Sequence, residues 1–173
     1  DGAAALVLSN EPLAGAKVPA VRWRSRTHVN EFLPLSRRDA TRFEGAALAW
    51  QKGLADAGAS LDDLKFVETH DCFTTSEYMA IDHFGLTAPG ESWKAIEAGD
   101  IALGGKTPIN PSGGLKAKGH PPGATGVAQC YELFNQLRGE AENQVDGARI
   151  ALAHNIGGPT AVSAVTVLSN EKN

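Results

Sequence analysis

Residues 104–126 read GGKTPINPSGGLKAKGHPPGATG. Gly104-Gly105, Pro108, Pro111, Gly113-Gly114, Gly119 and Pro121-Pro122-Gly123 leave too few uninterrupted residues for a regular helix or strand, so the stretch is predicted to be one long loop. A loop this long inside a compact domain is usually functional. It stands between two segments with helical character, within a chain whose strands alternate with helices as in an α/β sheet.

Upstream of the loop, Lys65 to Thr69 is a predicted strand, Thr74 or Thr75 to His83 a helix stopped at Gly85, and Trp93 to Ala98 a short helix. Further back, Phe43, Ala46, Ala47, Trp50 and Leu54 recur at helical spacing in a helix from about Arg42 to Ala57, closed by Gly58. Strands are predicted over Ala3 to Leu8 and around Val18 to Arg24. Downstream, Val127, Cys130, Tyr131, Phe134 and Leu137 mark one face of a helix from about Ala124 to Arg138, which Gly139 stops. Two strands follow, Arg149 to Ala153 and Ala161 to Leu168, and their short connection makes them an antiparallel pair.

The chain has 173 residues, 42% hydrophobic and 21% charged, the composition of one folded globular domain. A net charge of −4 and no dense Lys/Arg run argue against a nucleic-acid binder. No apolar run reaches the roughly 20 residues of a membrane-spanning helix, so no membrane partner is expected. Two cysteines are too few for a disulfide framework and fit a reducing interior, and the last residues, Ser169 to Asn173, are no peroxisomal address; a cytoplasmic location is the expectation.

Three segments place reactive side chains after strands or in the loop: His70-Asp71-Cys72-Phe73, Gly119-His120-Pro121 and His154-Asn155-Ile156-Gly157. Cys72 is either a small buried hydrophobe or a reactive thiol. Its place after a His-Asp pair, at a strand-to-helix junction, favours the thiol, because helix N-terminal donors stabilise thiolate and a thiol/thiolate couple suits proton transfer to carbon. Cys130, on an apolar helix stripe, belongs to the core.

His120, between glycine and proline, is either a turn histidine bonded to the main chain or an imidazole able to activate a thiol or donate to a developing oxyanion. His154 and Asn155 have a plain reading as strand-end polar residues. Gly157 has a backbone N–H that no side chain obstructs. His28 and His83 have no such context. The spacing speaks against zinc, since there is no CxxC, no HExxH and no His-x-Glu with a later cysteine pair.

Taken together, these segments resemble the thiolase superfamily, in particular the sterol-carrier-protein-type thiolases and their archaeal and bacterial relatives. The resemblance rests on the His70 to Phe73 run, the Gly104 to Leu115 run leading to Gly119 to Gly126, and His154 to Gly157, in family order and spacing. It implies an α/β fold with a mixed five-stranded sheet covered by helices. Residues 1–12 would be the last strand of an N-terminal thiolase domain and 13–173 the C-terminal domain.

It further implies an acyl-CoA acyltransferase making or breaking carbon–carbon bonds in 3-oxoacyl-CoA, with coenzyme A entering as part of the substrate and no permanently bound cofactor. The family's nucleophilic cysteine has no counterpart here, so an N-terminal thiolase half, on the same or a separate polypeptide, is the implied partner, in a homo- or hetero-oligomer. On this reading His120 activates that nucleophile and serves the first oxyanion hole, His70 orients a water or ligand, and Cys72 is the acid/base. Asn155-Ile156-Gly157 stands where the family has Cys-x-Gly, and Gly157 lends an N–H to the second oxyanion hole. No lysine is nominated for the nucleotide. Two alternatives remain: a non-catalytic thiolase-like scaffold subunit, and a thiolase-like retro-aldolase.

Overall fold

A computed structural model describes residues 1–11, 15 and 20–171. The elements in chain order are β1 (Arg22–Asn30), α1 (Glu44–Ala57), β2 (Val67–Glu68), α2 (Thr74–His83), α3 (Ser92–Glu97), α4 (Gly114–Lys118), α5 (Thr125–Arg138), β3 (Ile150–Gly157) and β4 (Val162–Ser169). The sheet runs β1-β4-β3-β2, with β1 and β3 antiparallel to β4 and β2 parallel to β3.

The sheet is mixed and helix-covered as expected, but it has four strands, not five. Ile109 makes only a single parallel bridge to Val67, with Val67 N–H donating to Pro108 O and Asn110 N–H to Val67 O. Pro108 and Pro111 lack N–H groups and Asn110 turns to a φ of 51°, so a ladder cannot propagate there. Ala3 to Leu8 pairs with no strand of the described residues, and Val7 and Leu8 are exposed. The strand expected near Val18 to Arg24 begins at Arg22; its residues 18 and 19, and the expected boundary at 12/13, lie outside the described residues.

The core has two layers, one on each face of the sheet. Between the sheet and α1 and α2 lie Trp50, Leu54, Phe84, Leu152, Val165 and Val167, with Trp50 stacked on Phe84 at 3.7 Å between ring centroids. On the opposite face Leu133 and Leu137 of α5 pack on Phe66, Ala151, Ala153 and Leu168. Buried on both faces, β3 reads as a nearly continuous apolar run, as strands with a parallel neighbour do.

Close approach of α1 to the sheet depends on Gly53, where a Cβ would come 2.5 Å from Val165 Cγ1. The buried face of α5 differs from the predicted stripe: Tyr131 is exposed, while Gln129, Leu133 and Gln136 turn inward. Polar side chains mask this face in the sequence because they bond to backbone, Gln129 to His154 O and Gln136 to Asn143 O.

Candidate active site

β2 ends at Glu68, opposite Ala153 of the parallel strand β3, and the segment that carries His70 and Cys72 leaves from that end. Thr69 N–H donates to Asn110 Oδ1 at 2.8 Å, which fastens the long loop to the strand end. His70 follows, buried at 4% exposure, and its ring meets that of His120 edge-on with centroids 4.8 Å apart. Burial first, and the neighbouring His120 second, push His70 down to about 4 against a smaller opposing pull from Asp71. His70 is therefore an uncharged imidazole at neutral pH.

Cys72 is half-buried just ahead of α2, with Sγ 3.7 Å from Ser76 Oγ in that helix's first turn. His120 is exposed, and its Nδ1 lies 2.7 Å from Thr125 Oγ1, whose hydroxyl also reaches Pro121 O at 3.1 Å. An open cleft of about 730 Å³ lies between the 118–124 loop and residues 1–4. The loop itself is less irregular than predicted, because residues 114–118 form the single-turn helix α4.

Asn155 and Gly157 lie within β3 rather than after it, since pairing with Ala164 and Val162 carries the ladder through both. Alternation along the strand sends His154 and Asn155 to opposite faces. Asn155 turns towards α5, where its Nδ2 donates to Gln129 Oε1 at 3.0 Å and lies alongside Gly126. His154 turns towards α2, fully buried, with Nδ1 3.1 Å from Thr69 Oγ1 and its ring edge-on to Phe84. Burial, and then His70, push His154 down to about 3. Cys130 is buried, and burial raises its thiol.

His70 and His120 are thus brought into contact, Cys72 follows His70 by two residues ahead of α2, and Asn155 reaches the first turns of α5. Several residues around them were not singled out from the sequence. Glu68 is 1% exposed and accepts from Ser112 N–H at 3.1 Å and Ser112 Oγ at 2.7 Å. Burial pushes it up to about 7, against smaller downward pulls from Ser112 and Lys118. Asp71 is fully buried and accepts from Leu115 N–H at 2.7 Å. Arg38 holds the turn after Gly157, donating to Pro159 O at 2.5 Å and Thr160 O at 3.2 Å. A glutamate inside Phe66-Val67-Glu68 was a visible signal of a buried polar role; Arg38, over a hundred residues from its partners, offered none. Among the described residues no group of three or more His, Cys, Asp or Glu side chains is arranged to hold a metal ion.

The domain is two-layered and mixed α/β, and its His-Asp-Cys-Phe and Gly-His-Pro segments touch through His70 and His120. Residues 28–170 match the family described as thiolase C-terminal domain-like, and the chain belongs to that family. It is 40% identical over 172 residues to an acetyl-CoA acetyltransferase of Methanothermobacter thermautotrophicus, covering 98% of this chain and 45% of the relative. It is 41% identical over 166 residues to human sterol carrier protein 2, covering 91% of this chain and 30% of that protein. The chain thus spans less than half the length of these relatives.

Among solved structures, the Ltp2-ChsH2(DUF35) aldolase matches with a TM-score of 0.78 at 21% identity, covering 90% of this chain and 41% of the other. A monomeric SCP2-thiolase-like protein from Mycobacterium smegmatis matches with a TM-score of 0.67 at 22% identity, covering 88% and 29%. At these identities the two structures speak for the fold.

Proposed function

We propose that this chain is the C-terminal part of an acyl-CoA acyltransferase of thiolase type, which makes or cleaves the carbon–carbon bond of a 3-oxoacyl-CoA. Residues 13–173 are its C-terminal domain, and residues 1–12 pack with an N-terminal half that supplies the nucleophilic cysteine. The observation that carries the reading is the edge-on contact of His70 and His120, with the half-buried Cys72 two residues after His70 and just ahead of α2. The acetyl-CoA acetyltransferase relative supports the same chemistry.

Directed at Pro121 O, the Thr125 hydroxyl proton leaves its oxygen to accept from His120 Nδ1–H, so Nε2 carries the free lone pair. Nε2 takes the proton of the nucleophilic thiol, and as N–H it donates to the enolate oxygen of the second acyl group. Cys72 thiolate removes the α-proton of acetyl-CoA; the carbanion attacks the acyl-enzyme carbonyl, and the nucleophile leaves as thiolate. Run backwards, Cys72 thiol returns the proton during thiolysis. Uncharged His70 orients a water or ligand without placing a second positive charge beside His120. Asn155 holds the strand end against α5.

The test is Cys72→Ala in the complete enzyme, with the acyl-enzyme trapped by mass spectrometry and thiolysis of acetoacetyl-CoA followed separately. Acylation should persist while thiolysis falls by about 10²- to 10⁴-fold, the usual worth of a positioned acid/base. Wild-type thiolysis in that variant removes Cys72 from the mechanism, and loss of acylation makes it a nucleophile or a structural necessity.

A further inference from the structure

The strand end that carries His70 and Cys72 also carries two buried carboxylates, and both reach into one turn. Glu68 accepts the N–H and the hydroxyl of Ser112 at 3.1 and 2.7 Å. Three residues on, Asp71 Oδ1 accepts the N–H of Leu115 at 2.7 Å. Its Oδ2 is buried without a hydrogen-bond partner in the described residues, 3.8 Å from Lys116 Nζ. That oxygen sits over Gly114, where a Cβ would come within 2.3 Å and where φ is +63°, so glycine alone fits the approach.

The held residues 112–115 begin the single helical turn that ends in Gly119-His120. Its far end is tied as well: Lys118 Nζ donates to Ser112 Oγ at 2.6 Å and to Glu132 Oε1 of α5 at 2.8 Å. The loop therefore reaches His120 as a short rigid spacer, with one end hung on the strand that bears Cys72. Burying two carboxylates costs several kcal/mol unless their acceptor geometry is used, and docking a loop as such does not demand it.

We propose that Glu68 and Asp71 are positioning residues for the acyl-transfer site: together they hang the 112–115 turn on the end of β2 and so fix His120 beside His70 and Cys72. This rests on the function proposed above, with neither carboxylate touching substrate. A displacement of about 1 Å in a reacting group is worth up to about 10²-fold in rate.

Asp71→Asn keeps the size and one acceptor but puts an amide N–H₂ where the carboxylate faces Lys116, and Ser112→Ala removes only the hydroxyl shared by Glu68 and Lys118. In the complete enzyme each should lower kcat for acetoacetyl-CoA thiolysis by roughly 10- to 100-fold while KM changes by less than about threefold. The NMR pH titration of the His120 ring protons should move in both variants. Wild-type kcat with an unmoved His120 titration overturns the proposal, as does a lowered melting temperature with both unmoved, which is a purely structural role. If Asp71→Asn does not fold, Ser112→Ala decides by the same readouts. If the wild-type enzyme shows no thiolysis, the proposed function fails, and the His120 titration alone still decides whether the two carboxylates position it.

Discussion

Glu68, His70 and His154 pull stability in opposite directions as pH changes. Glu68 is raised to about 7 in the fold, so its contribution is whole below its unfolded value near 4.5 and is lost as pH rises through 7. His70 and His154 are lowered to about 4 and about 3, so theirs is whole above 6.5 and is lost as pH falls through those values. Between pH 4.5 and 6.5 these groups leave the unfolded chain holding about one proton more than the fold, and stability climbs with pH. Glu68→Gln removes the opposing group, so the excess becomes about two protons and the climb about twice as steep. Urea unfolding midpoints measured from pH 4.5 to 6.5 check this; equal slopes for wild type and variant would refute the assignment of Glu68.

At the scale of elements, the seating of α1 on β4 governs how the sheet is covered on the side away from α5. Gly53→Ala gains helix propensity worth about 1 kcal/mol, yet it drives a methyl to 2.5 Å from Val165 Cγ1, a stiff β-branched side chain with no room to give. Overpacking of this kind costs about 1–3 kcal/mol, so the net change should be a loss of up to about 2 kcal/mol. Chemical denaturation measures it, and a variant more stable than wild type would mean that α1 slides freely over the sheet. The elements most legible in the sequence were α1, α2 and α5, whose lengths and caps follow local rules: α1 and α5 do end at left-handed Gly58 and Gly139. The extent of β3 was not legible. Asn155 to Gly157 has turn composition, and only pairing with β4 makes it strand.

At the scale of the molecule, large apolar side chains remain on the surface: Val7 is 99% exposed, Phe73 71% and Tyr131 49%, and a second domain of the kind proposed would cover such surface. The chain alone is expected to bind a hydrophobic dye and to leave acetoacetyl-CoA uncleaved, and joining it to its N-terminal half should suppress the first and produce the second. Dye fluorescence and thiolysis assayed on both forms check it. An isolated chain that excludes dye and cleaves the substrate would refute the division of the site.

The sequence by itself determined the α/β class, the antiparallel closing pair, and the two segments that carry His70, Cys72 and His120, because periodicity, turn residues and motif order are local properties. Only the tertiary structure decided how those segments meet. Four strands formed where five were expected: Ala3 to Leu8 pairs with no strand among the described residues, and the prolines around Ile109–Asn110 hold the long loop to one bridge beside β2. Adjacent His154 and Asn155 parted to opposite faces once β3 took its place in the sheet. Glu68 could be read from its strand only as buried, and Asp71 as an ordinary charged residue, until the fold set them against Ser112 and Leu115, more than forty residues away. Such long-range hydrogen bonds leave no periodic trace, since a buried acceptor is satisfied by whichever backbone the fold delivers to it.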